Sequence, residues 1–166
     1  MFFSRLVLIL PESDMQIMKY ITRTTSALFF GIALIFSLSL KAQSLRDDVL
    51  KYTNDLRKAK GLPALEIRDD LNELALKHST NMAKGKTSFG HDGFDDRRNA
   101  VHKFLPSMNA FAENVAYGAT TAKDVVQMWN KSSGHRRNML GNYRYIGIGI
   151  AADSDGVLYY TQVFVN

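Results

Sequence analysis

The chain has 166 residues, 46% apolar and 22% charged, a composition that supports one globular domain and excludes a disordered or fibrous chain. Cysteine is absent, which removes disulfides, thiolate metal sites, thiol nucleophiles and lipid-modified cysteines from consideration. Lys and Arg number 21 against 16 Asp and Glu, but this excess is spread along the chain without a run of five or six like charges, so nucleic acid is not an expected partner.

The first 42 residues read as an address rather than as structure. Lys19 and Arg23 form a basic opening before an apolar stretch from Ala27 to Leu40, and Ala42 supplies a small residue for cleavage. The stretch is short of the roughly 20 residues that a membrane-spanning helix needs, so residues 18–42 are expected to be a cleaved signal peptide and not a permanent anchor. Residues 1–17 then read as an upstream extension, with translation starting at Met18. Cleavage lowers the net charge from +5 to +3, since four basic and two acidic residues leave with the segment. The product is expected to be secreted or periplasmic, with residues 43–166 as its single domain.

In that domain Ser44 and Asp47 read as a capped start, and Leu45, Val49, Tyr52 and Leu56 recur at helical spacing, which predicts a helix over about 45–59. Gly61 and Pro63 end it. A second helix starts near Asp69 or Asp70, with Leu71, Leu74, Ala75, His78 and Met82 on one stripe. His78 on that apolar stripe is expected to be a hydrogen-bonded core histidine rather than a ligand. After Gly85 the Gly-, Asp- and Ser-rich stretch around His91 predicts a surface loop. Asp96 to Phe104 reads as a short helix, and Phe111 to Gly118 as either strand or turn. Thr121 with Asp124 caps a third long helix that ends near Lys131. Tyr145–Ala151 and Val157–Val165 read as strands joined by an Asp153-Ser154-Asp155-Gly156 turn, with Gly147 and Gly149 marking a closely packed face. Three helices followed by an antiparallel pair point to a mixed α+β sandwich.

With His78 assigned to the core, His91, His102 and His135 remain. His102 stands in an undistinguished context, whereas His135 lies in Trp129-Asn130-Lys131-Ser132-Ser133-Gly134-His135-Arg136-Arg137-Asn138-Met139-Leu140. That spelling resembles the W-x-x-S-x-G-H-R-x-N-x-L signature of bacterial CAP domains, the superfamily of cysteine-rich secretory proteins, antigen 5 and pathogenesis-related 1 proteins. The resemblance extends to Asn54, Arg57 and Gly61–Leu65, to Leu74–Ser79 and Met82, to Phe89-Gly90-His91, to Ala112–Ala116, and to Tyr160–Phe164.

The resemblance implies an α-β-α sandwich with a central antiparallel sheet, and a cleft in which His91, Glu113 and His135 occupy three of the four family positions. Ser132 stands at the fourth, where many eukaryotic members have a second glutamate. Two imidazoles and one carboxylate form a chemically sensible zinc set, with His91, Glu113 and His135 as ligands and a fourth position left for water. The plainer alternative is that Glu113 hydrogen-bonds backbone or one histidine and fixes the fold without an ion. Ser132 or Ser133 is expected to cap a helix start around His135 rather than act as a nucleophile, because no G-x-S-x-G elbow is present. Arg136, Arg137 and Arg144 read as a solvated face. The functional expectation is a binding module for a divalent metal and a small-molecule, lipid-like or glycan ligand. An extracellular metal-assisted hydrolase is the alternative, and it lacks an identifiable catalytic base.

Overall fold

A computed structural model describes residues 43–166; the extension at 1–17 and the signal at 18–42 lie outside the described residues. Helix α1 occupies 43–58 and buries Val49, Thr53 and Arg57, a four-residue spacing that keeps all three on one stripe. Ser44 lies within this helix and not at its cap, while Gln43 Nε2 donates to Asp47 Oδ1 one turn on. Asn54 closes the connection that follows: its side chain accepts from Leu65 N and donates to Leu65 O.

That clamp delivers the chain into β1 (Glu66–Ile67), a two-residue strand with no sequence signal of its own because it forms only by pairing with the distant β3. Helix α2 (Asp69–Ala83) starts where two aspartates favour the helix N-terminus. Helix α3 (Phe94–Phe104) begins two residues earlier than its polar sequence suggests, after Gly93 in a left-handed conformation. The ambiguous segment is a strand, β2 (Phe111–Tyr117). Helix α4 (Ala122–Lys131) is capped by Thr121, whose hydroxyl accepts from Asp124 N, and Trp129 is sealed in the core with its ring N–H on Val115 O. A short helix α5 (Ser133–Met139) follows, then β3 (Tyr145–Ala152) and β4 (Leu158–Val165). Between them Asp153 Oδ1 accepts from Asp155 N and Val157 N, and Gly156 takes φ +81°.

The sheet order is β1-β3-β4-β2. Its three long strands are antiparallel and only the short edge strand β1 is parallel, which makes the central sheet antiparallel as expected. Strand alternation sends Ile146, Ile148, Tyr160 and Phe164 into one core with α1, α4 and α5, and Val163 and Val165 into another with α2 and α3. On the second face a Cβ at Gly147 would overlap the backbone of Leu71, and one at Gly149 would overlap that of Ala75. The missing side chains let α2 lie directly on β3. Asn72 Oδ1 accepts from Ile148 N, and Ser79 Oγ donates to Gly149 O, so the contact is hydrogen-bonded as well as close. The result is an α-β-α sandwich. Among the described residues no helix is long and apolar enough to cross a membrane.

Candidate functional site

On β2, Glu113 shares a face with Phe111, which packs into the core formed with α2 and α3. The Glu113 side chain is fully buried. A carboxylate removed from water requires compensating donors, and three converge on it. Arg97, from α3, donates through Nε to Oε2 at 2.6 Å and through Nη2 to Oε1 at 2.8 Å, a bidentate fork. His91 Nδ1 lies 2.9 Å from Oε1. Because a carboxylate oxygen accepts, Nδ1 carries the proton and Nε2 is left as the acceptor of the His91 ring.

The loop that carries His91 is held from two sides. Arg97 Nη1 donates to Asp92 O at 2.7 Å. On α2, the buried His78 donates through Nε2 to Gly90 O at 2.9 Å, with the Glu113 carboxylate 3.8 Å away. Gly90 reaches this contact with φ +143°, a conformation that favours glycine. Burial pushes the pKa of His78 below its ordinary value. His78 is thus a hydrogen-bonded core residue, as expected, but one in the network behind the cleft.

Helix α5 brings His135 to the same stretch of β2. Asn138 Nδ2 donates to Glu113 O and to Asn114 Oδ1, and Asn114 Nδ2 donates to His135 O. Burial lowers the pKa of His135 below its ordinary value. Ser132 occupies the N-cap position of α5, but its side chain makes no capping hydrogen bond; the turn closes instead through Arg136 N on Ser132 O. Asn114 and Asn138 therefore hold backbone, and Arg136 lies exposed with one amino group on Asn130 O.

Zinc on Glu113 would have to sit beside a guanidinium fork and an imidazole N–H that already hold the two carboxylate oxygens and neutralise their charge. The set His91, Glu113 and His135 does not fit direct three-residue ligation in this arrangement. Among the described residues no group of three or more His, Asp or Glu is arranged to hold a metal ion. What the arrangement offers is the role of a carboxylate behind a histidine, which fixes the tautomer of His91 and the orientation of its ring.

Two surfaces adjoin this centre. A cavity of about 350 Å³ between α2, α3 and their connecting loop reaches His78 and Arg97 from the helix side. Beside His91, Phe89 is 49% exposed and meets Tyr117, 51% exposed, edge-on at 4.7 Å; Tyr117 in turn stacks on Tyr159 at 5.7 Å. This aromatic run leaves apolar surface uncovered on the sheet face that carries Glu113.

Residues 50–164, more than half of the chain, match the family described as CAP, the cysteine-rich secretory protein family. The chain belongs to the CAP family. Among curated proteins it is similar to YkwD of Bacillus subtilis, 33% identical over 121 residues that cover 71% of this chain and 46% of YkwD. It is also similar to the membrane protein YlbC of the same organism, of which it covers 33% at 29% identity. This CAP domain therefore spans less than half the length of these relatives.

Among solved structures, an extracellular protein containing an SCP domain from Bacillus anthracis superposes with a TM-score of 0.63 at 25% identity, covering 75% of this chain and 41% of that one. An outer surface protein of Borrelia burgdorferi superposes with a TM-score of 0.63 at 24% identity, with 73% of this chain and 93% of that one covered, and shares the fold. Sequence reasoning about the CAP domain named His91, Glu113 and His135 and missed Arg97. In Asp95-Asp96-Arg97-Arg98 this residue reads as part of a solvated charge run, and only the approach of α3 to β2 carries it to the carboxylate.

Proposed function

We propose that this CAP domain is an extracellular binding module for a small amphipathic ligand, whose hydroxyl or other donor meets His91 Nε2 and whose apolar body lies along Phe89 and Tyr117. One observation carries the reading: the buried Arg97–Glu113 pair presents a carboxylate oxygen 2.9 Å from His91 Nδ1, which leaves Nε2 as the acceptor of the neutral ring beside exposed aromatic surface. Placed donors and acceptors next to apolar area are what a small-molecule site requires. The extracellular setting is supported by the signal-like segment at 18–42 and by relatives described as extracellular or outer-surface proteins.

The test uses ¹H–¹⁵N and aromatic ¹³C spectra of the domain titrated with 1-dodecanol, with dodecane as the control lacking a donor. Dodecanol is expected to shift the resonances of His91, Phe89 and Tyr117, and His91→Ala and Phe89→Ala are each expected to weaken binding. Equal responses to dodecanol and dodecane, or shifts confined to other surfaces, would contradict the reading.

A further inference from the structure

We propose that Arg97 is the resident counter-cation of the cleft: it occupies the Glu113 carboxylate and so excludes divalent metal from the set His91, Glu113 and His135. Metal selectivity at this site is thereby decided by a residue outside that set. Both Glu113 oxygens accept from Arg97, at 2.6 and 2.8 Å, and the carboxylate side chain is fully buried while that of Arg97 is only 11% exposed. A dication seated on Glu113 would compete with the fork for the same carboxylate charge, and weakening the pair leaves a nearly buried guanidinium short of its partner, which is strongly unfavourable. The two cations would also repel each other at close range.

Removing Arg97 reverses the balance. Glu113 then becomes a buried carboxylate that lacks a cation, beside an imidazole whose Nδ1–H it already holds and close to a second imidazole. That is an environment in which a dication supplies the missing charge. Arg97 also borders the cavity of about 350 Å³ beside α2 and α3, so truncating it enlarges an existing opening and does not create a sealed void.

Zinc binding is measured by calorimetry on the whole domain and on Arg97→Met, Arg97→Lys and Arg97→Met/Glu113→Gln. Arg97→Met is expected to bind zinc about tenfold or more tighter than the unaltered chain, a gain lost in the double variant and absent in Arg97→Lys, which keeps the charge. Unchanged affinity in Arg97→Met would overturn the proposal. The unaltered protein gives a second readout should that variant fail to fold: the Arg97 Nε–H signal, held on Glu113, is expected to persist in ¹H–¹⁵N spectra under excess zinc. Its loss on saturable zinc binding would show that the metal displaces Arg97 and would overturn the proposal equally. Neither result depends on dodecanol, so failure of the amphipathic-ligand reading is seen separately.

Discussion

Arg57 is a charged side chain 1% exposed, and among the described residues it has no acidic partner. It donates instead to four carbonyls, those of Pro63, Met139, Gly141 and Tyr143, which gathers the end of α1 and the α5–β3 connection around one guanidinium. Arg57→Met is expected to lose about 3 kcal/mol in urea denaturation, because four carbonyls, that of Met139 fully buried, lose their donor at once. Arg57→Lys is expected to recover little, since an ammonium lacks the planar fork. His78 supplies the pH dependence at this scale. Burial holds its pKa below the ordinary value of 6.5, so the folded chain keeps it neutral where the unfolded chain takes up a proton. Its contribution is present above the ordinary histidine range and is lost as pH falls toward the depressed folded value, and His135 acts with the same sign. The urea midpoint is expected to drop between pH 7.5 and 5, with a shallower slope in His78→Gln; an equal slope would show that His78 is not a source of the pH dependence.

At the level of elements, the contact of α2 with β3 is the least forgiving part of the fold. A methyl at Gly149 meets backbone atoms of Ala75 and Leu76 well inside van der Waals contact, and backbone cannot rotate aside. Gly149→Ala is expected to cost about 3 kcal/mol or to prevent folding, and Gly147→Ala to behave alike. Gly134 in α5 is the contrast: an added methyl there would meet nothing within 4 Å, and the backbone is ordinary helix. Gly134→Ala is expected to raise stability by up to about 1 kcal/mol in the same assay. The glycine pair is readable in the sequence because it interrupts an alternating Ile146, Ile148, Ile150 pattern with the one residue type that admits a helix. The Thr121 cap and the Asp153–Gly156 turn are readable for a similar reason: local chemistry determines each. Strand β1 and the first turn of α3 are not, since one depends on pairing across the chain and the other on a left-handed Gly93. Ser44 and the Ser132 or Ser133 pair show the limit of residue type: Ser44 lies inside α1, and Ser132 stands at the N-cap of α5 without its hydroxyl capping the turn.

Across the whole molecule a buried polar chain ties the cleft to the first helix. Asn138 donates to Asn114 Oδ1, Asn114 Nδ2 to Gln162 Oε1, Gln162 Nε2 to Thr53 Oγ1, and Thr53 to Val49 O, so α5, β2, β4 and α1 share one hydrogen-bonded path. Gln162→Leu is expected to cost about 1–3 kcal/mol and to shift the amide of Arg136, which follows the His135 carbonyl that Asn114 also holds. Of the cleft, the residue types His91, Glu113 and His135 are legible because they stand in spelled motifs. Their protonation, partners and charge balance are not, because these depend on Arg97 arriving from a polar helix whose sequence looks solvent-facing. The chemistry of the cleft rests on that arrangement, and the most direct test is the tautomer of His91 read from long-range ¹H–¹⁵N spectra above the imidazole titration range. The carboxylate held by Arg97 predicts a protonated Nδ1 and a bare Nε2, a pattern lost in Glu113→Gln; a proton on Nε2 of the unaltered protein would contradict it.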